Sequence, residues 1–172
     1  RVDVTQLTDE AWAAMAAADA IIFGSPTYMG AVSGPFKTFM DQTSRVWMQR
    51  RWQDKLAAGF TVSSSQAGDK YATLSQLATL AAQHGMLWVS LGLLPGNNAS
   101  NGSVHDINRI GGSLGAMAQA NADEPADIAP PASDRETAAL LGARVATLAL
   151  RFKTGDRAGA PSEHHAALAL EA

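Results

Sequence analysis

Two short stretches carry the residue types with which this chain could do chemistry. The first is Gly24-Ser25-Pro26-Thr27-Tyr28-Met29-Gly30, and the second is Ser63-Ser64-Ser65-Gln66-Ala67. Both are dense in hydroxyls and backbone amides, and neither holds a carboxylate. They therefore suit a planar, hydrogen-bonding heterocycle better than a metal ion. Tyr28 and Met29 add one aromatic and one soft side chain, either of which can pack on the edge or face of a ring. The plainer reading is that any connection after a strand collects Gly, Ser and Pro for turn geometry. Recurrence of the pattern after two successive strands favours the ligand.

The segments around these stretches read as the elements that position them. Ala20–Phe23 is a short apolar run, sharply punctuated, and predicts a buried strand leading into the first stretch. After it, Ser33 can cap and Pro35 is tolerated in a first helical turn. Phe36, Phe39, Met40 and Val46-Trp47 then mark one face of a helix from Gly34 to about Arg51. Lys55–Val62 predicts a second strand ahead of the serine stretch. A helix with Leu74, Leu77, Ala78 and Ala81 on one face follows, stopped by Gly85. Met86–Leu93 predicts a third strand, apolar almost throughout, as befits one covered on both faces. Upstream, Thr8 is a plausible N-cap for an Ala-rich helix, with Asp9 and Glu10 at its positive end and Leu7 able to staple onto Trp12. Pro95–Gln119 reads as a long loop and Asp123–Pro131 as a linker. Ser133-Asp134 opens a last helix striped by Ala138, Leu141, Val145, Leu148 and Phe152. Strands alternating with helices predict an α/β fold with a parallel sheet, in which ligands sit at the carboxyl ends of the strands.

Composition narrows the function classes. The chain has 172 residues, 17% of them charged, with net charge −3 and no cysteine. One domain with a substantial core follows from the length. The mild acidity argues against a general attraction to nucleic acid. Disulfides, thiolate metal sites and cysteine nucleophiles are excluded together. No metal site is expected. No apolar run is long enough to span a membrane and no signal peptide opens the chain, so a cytoplasmic protein with no membrane partner is the expectation.

Gly24–Gly30, followed by Ser33-Gly34-Pro35-Phe36-Lys37 and Phe39-Met40-Asp41, resembles the flavodoxin-like NAD(P)H:quinone oxidoreductases of the tryptophan-repressor-binding-protein (WrbA) type. Trp47 lies eight residues before Lys55-Leu56-Ala57, and His84-Gly85-Met86 and Gly115-Ala116 continue the match. The resemblance spans roughly Val2 to Phe152, and it implies a flavodoxin-like three-layer sandwich over residues 1–152, with a frayed tail over 153–172. It also implies FMN as cofactor and NAD(P)H as co-substrate. Pro26, Thr27, Tyr28, Met29 and Gly30 would then border the flavin ring, and Ser63, Ser64, Ser65, Gln66 and Ala67 would line its edge and ribityl chain. His84 would reach the flavin from the start of the third strand. Trp47 would wall the pocket where nicotinamide and quinone bind in turn, in a homodimer or homotetramer. Hydride would pass from NAD(P)H to FMN and then to a quinone, with the cofactor doing the chemistry.

Two departures stand against the family pattern. The family opens with a strand and a Ser/Gly/Thr-rich loop that holds the FMN phosphate at a helix N-terminus. This chain opens instead on Arg1-Val2-Asp3-Val4, which reads as the tail of a strand, so an N-terminally truncated copy is expected, with an open edge along Ala20–Phe23. Leu93 stands where many members carry a Tyr and cannot hydrogen-bond a substrate.

Other signals are weaker. Gly111-Gly112-Ser113-Leu114-Gly115 matches a hydrolase nucleophile pattern but lacks a strand before it and a helix after it. His105-Asp106 reads as solvated loop rather than a dyad, and His164-His165 needs no role. Arg45, Arg50, Arg51 and Lys55 read as a solvated helix end, with attraction to a nucleotide phosphate as the alternative. Against the quinone reductase stand two further functions: a flavodoxin-type electron carrier, for which −3 is a weak charge, and a flavin-free interaction protein of the same fold.

Overall fold

The computed structural model describes residues 1–155. Helix α1 (Asp9–Ala17) starts where Thr8 accepts a hydrogen bond from the Ala11 amide and ends in extended backbone at Ala18. The ammonium of Lys55, from far along the chain, binds the carbonyls of Ala16 and Ala18 at its end. This lysine is thus used as a C-cap, where a cation suits the helix dipole, and does not join the exposed arginines.

Strand β1 (Ala20–Tyr28) lies parallel to β3 (Leu56–Ser63) in a register from Ala20↔Leu56 to Pro26↔Val62. A minimal β2 (Ala31–Val32) folds back on the end of β1, pairing Thr27 with Val32 and Tyr28 with Ala31. On its other side β3 carries two short strands end to end. Strand β4 (Leu87–Trp88) pairs with Leu56 and Ala57, and β5 (Ala116–Gln119) pairs with Phe60–Ser63. All of the ladders except the β1–β2 hairpin are parallel, so the fold is α/β with a mostly parallel sheet. Among the described residues, the outer edge of β1 has no ladder partner except at Thr27 and Tyr28.

Helices α2 (Gly34–Gln42), α3 (Ser44–Met48) and α4 (Lys70–Gln83) follow β2 and β3, and α5 (Ala132–Gly155) closes the described chain. One face of the sheet buries an aromatic group of Phe23, Phe36, Phe39 and Trp52, together with Leu74 and Leu77 of α4. The other buries Leu56, Ala58, Val89, Leu91, Leu141 and Val145, largely under α5. Helices on both faces of a parallel sheet make the three layers expected of a flavodoxin-like chain.

Several sequence expectations are corrected. The helix expected from Gly34 to Arg51 breaks at Thr43, whose N–H is shared between the carbonyls of Phe39 and Met40 and whose hydroxyl bonds Met40. The first strand does not stop at Phe23, because Gly24, Ser25 and Pro26 find partners in Phe60, Thr61 and Val62. The third strand, expected over Met86–Leu93, shrinks to two residues, since β5 occupies the edge of β3 beyond Gly59. That strand came out of what read as featureless loop. Residues Arg1–Val4 join no ladder. The final helix passes Phe152 and runs to Gly155, while residues 156–172, His164-His165 among them, lie outside the described residues. No described helix is long and apolar enough to cross a membrane.

Candidate functional site

The carboxyl ends of β1 and β3 bring the two hydroxyl-rich stretches onto one rim. The first ends in a two-residue hairpin turn at Met29-Gly30, with φ of 49° and 75°. Both central residues with positive φ define the turn that matches the twist of a hairpin. Glycine adopts that conformation freely, whereas Met29 is held in it against its own preference. The second stretch turns through Gly68 and Asp69, also at positive φ, into α4. The two turns abut: a Cβ placed on Gly30 would lie 4.0 Å from the Asp69 Cβ.

Side chains on this rim divide into those facing inward and those facing out. Ser25 accepts from the Ser33 amide and donates to the Pro26 carbonyl, locking the β1–β2 hairpin. Thr27 is buried, its hydroxyl 2.8 Å from Thr73 and 2.7 Å from Thr61. Ser63 is tied to the Lys70 ammonium. By contrast Tyr28 is 65% exposed, Met29 is fully exposed, and Ser64, Ser65, Gln66 and Ala67 all face solvent. Among the described residues, none of the backbone N–H groups of Ser64–Ala67 donates to a protein acceptor. Of the residues read from sequence as one binding set, then, Ser25 (from the motif itself), Thr27 and Ser63 hold the scaffold. Tyr28, Met29 and Ser64–Ala67 form the surface.

His84 and Trp47 are placed elsewhere. His84 follows α4, whose first residue Lys70 touches Ser63; fourteen residues at 1.5 Å each put it about 21 Å from that end. It is 5% exposed and packed against Trp52, ring centroids 4.5 Å apart with the planes inclined by 39°, and its Nε2 lies 2.9 Å from the Thr43 hydroxyl. The Thr43 hydrogen goes to the Met40 carbonyl, so Nε2 must be the donor. Nδ1 is then a bare acceptor, buried without a partner. Burial pushes this imidazole's pKa below its ordinary value. Trp47 on α3 stands 49% exposed beside a cleft of about 500 Å³ that includes His84. Within one chain neither residue reaches the rim, because α2 and α4 both run away from it.

Sequence reasoning missed the charged groups behind the rim. Arg109 and Asp134 form a buried, two-pronged ion pair at 2.7 Å, and Asp134 also accepts from the Gln119 amide at the end of β5. Lys70 is 1% exposed. In the sequence Asp134 reads only as a helix-opening residue; nothing marks Arg109, in a loop without apolar rhythm, or Lys70, ahead of the apolar face of α4. The Gly111–Gly115 pattern lies in irregular backbone ahead of β5, so Ser113 has no nucleophile turn to sit on. Asp106 accepts from the amides of Asn97 and Ser103 and orders its own loop, leaving His105 exposed.

The rim has donor chemistry suited to the ring of a flavin: free amides and hydroxyls on the serine stretch, an aromatic and a thioether on the other, with Asp69 where the two turns meet. The comparisons with known proteins agree. The family described as NADPH-dependent FMN reductase matches residues 3–100. The chain belongs to that family and is flavodoxin-like, of the WrbA type. As a family member it is 49% identical over 142 residues to the flavodoxin FldP of Pseudomonas aeruginosa, covering 83% of this chain and 76% of that one. It is 37% identical over 131 residues to an NAD(P)H dehydrogenase (quinone) of Archaeoglobus fulgidus, covering 76% of this chain and 59% of that protein's length. The crystal structure of a flavodoxin, WrbA-like protein from Agrobacterium tumefaciens superposes with a TM-score of 0.65 at 44% identity, over 86% of this chain and 76% of that one.

Proposed function

We propose that this chain is an FMN-dependent oxidoreductase that takes hydride from NAD(P)H and delivers it to a quinone. The observation that carries the reading is the shared rim of Tyr28, Met29 and Ser64–Ala67 at the carboxyl ends of adjacent parallel strands. Family membership supports FMN and NAD(P)H, and the similarity to a quinone dehydrogenase supports the acceptor. Bound FMN would supply the electron chemistry, two-electron hydride transfer between the nicotinamide and the quinone. The protein's part is to bind and orient. The amides and hydroxyls of Ser64–Ala67 meet the ring's polar edge, and Tyr28 and Met29 pack its flank. Thr27, Ser25 and Ser63 act beneath the surface and keep the two turns in contact.

One chain offers an open rim, while the larger clefts lie elsewhere, one of 620 Å³ between Trp12 and Arg45 among them. We therefore take self-association to complete the site. Trp47 and its neighbour Met48 are exposed at the far end of the sheet, and they serve the substrate pocket by facing the rim of a second copy. His84 supports them by holding Thr43 at the helix break.

The test is direct. FMN added to the purified protein is expected to bind with quenching of its fluorescence, and the loaded protein to oxidise NADH or NADPH steadily with benzoquinone. The kinship to a flavodoxin favours a second reading, an electron carrier. In that case FMN binds, but reduction requires a separate reductase. A protein that stays colourless with FMN loses both readings.

A further inference from the structure

Lys70 stands at the wrong end of its helix and on the wrong side of the surface. It is the first residue of α4, where the dipole disfavours a cation, and it is 1% exposed, although lysine is almost never fully buried without partners. Its three donors meet three acceptors: the Ser63 hydroxyl at 2.6 Å, the Ser65 carbonyl at 2.5 Å and the Gln66 carbonyl at 3.0 Å. All three belong to the serine turn of the rim. In a trans peptide the carbonyl and the following N–H point in opposite directions. Drawing the carbonyls of Ser65 and Gln66 inward therefore turns the N–H groups of Gln66 and Ala67 outward, where among the described residues they find no protein acceptor.

We propose that Lys70 is the positioning residue of the flavin rim, aiming the Gln66 and Ala67 amides at the polar edge of the ring and setting a fixed positive charge beneath it. The inference rests on the FMN reading above. Burial pushes the ammonium's pKa below its ordinary value; the Asp134 carboxylate opposes this, and Arg109 adds to the fall. A cation close to a ring that gains negative charge on reduction favours the reduced form.

The experiment compares wild type with Lys70→Met, which has no donors, and Lys70→Gln, which keeps two donors without charge. Oxidised FMN is expected to bind Lys70→Met at least tenfold more weakly, and Lys70→Gln to recover part of that loss. Both variants are expected to lose about a further tenfold for reduced FMN, which moves the two-electron midpoint potential about 30 mV more negative. A purely structural role would lower the unfolding temperature and leave the potential of the flavin that still binds unchanged, overturning the proposal. Should Lys70→Met fail to fold, Lys70→Gln carries the potential measurement, and nitrogen-15 spectra of wild type give an independent readout. On FMN addition the Gln66 and Ala67 amides must shift. Wild type that binds FMN without moving them overturns the role of Lys70 alone, and wild type that binds no FMN overturns the site reading with it.

Discussion

Thr61 donates to Thr27, 2.7 Å away, across the β3–β1 ladder. The direction follows from the next link: Thr27 gives its single hydrogen to Thr73 of α4 at 2.8 Å, so only Thr61 can supply the other bond. All three hydroxyls are buried and lie just under the rim. Replacing Thr27 by Val keeps the shape but strands two buried hydroxyls. Urea unfolding is expected to show a loss of about 1–3 kcal/mol. The Thr27 hydroxyl is spent on the chain from Thr61 to Thr73 rather than exposed on the rim, so its loss is read first in stability.

His84 makes stability fall on the acidic side. Its folded pKa is lowered from 6.5 by desolvation, so the unfolded chain binds the proton more readily. Stability from this group is complete above the unfolded value and is lost as pH falls through 6.5 toward the folded value. The partners at hand are Thr43 and Trp52, and neither offers Nδ1–H an acceptor. Urea midpoints taken between about pH 7.5 and pH 5 should decline, and the decline should be shallower in His84→Gln.

Asp134→Ala removes the partner of a buried guanidinium and the acceptor of the Gln119 amide together. A loss of about 3–5 kcal/mol is expected for breaking such a pair from one side. The paired replacement Arg109→Met with Asp134→Leu should cost less than the single change. Thermal unfolding of the three variants measures the difference.

Gly115 shows how closely β5 approaches β3. A Cβ there would fall 2.3 Å from the Gly59 carbonyl oxygen, which is backbone and cannot step aside. Gly115→Ala should destabilise by about 1–3 kcal/mol or more. Gly142 of α5 meets nothing within 4 Å, so Gly142→Ala should stabilise by about 0.5–1 kcal/mol. Opposite shifts in unfolding temperature check both.

How much of this was legible in the sequence depended on whether a residue's role is local. The strand cores, the caps at Thr8 and Ser33 and the apolar face of α4 follow from short-range spacing, and the structure has them in place. The pairing of two hydroxyl-rich strand ends was legible because parallel neighbours place their carboxyl ends together. The inward or outward sense of each hydroxyl was not, since it depends on which strand lies alongside. The polar contacts of Lys70, Arg109 and Asp134 were hidden for the same reason: the partners of Lys70 stand 4 to 7 residues away in a turn, and those of the ion pair 25 residues apart. The distance of His84 from the rim of its own chain was not legible either, because its neighbours Thr43 and Trp52 come from segments more than 30 residues away.

One edge of β3 is assembled from two pieces of chain, Leu87-Trp88 below and Ala116–Gln119 above. Between them the excursion is stitched to itself, Trp88 Nε1 to the Leu114 carbonyl and the Leu91 amide to Ser113, while Asn97–Asn101 lie exposed at its tip. A single protease cut in that tip should therefore leave both splice ends seated, and the nicked halves should travel as one species until denaturant parts them.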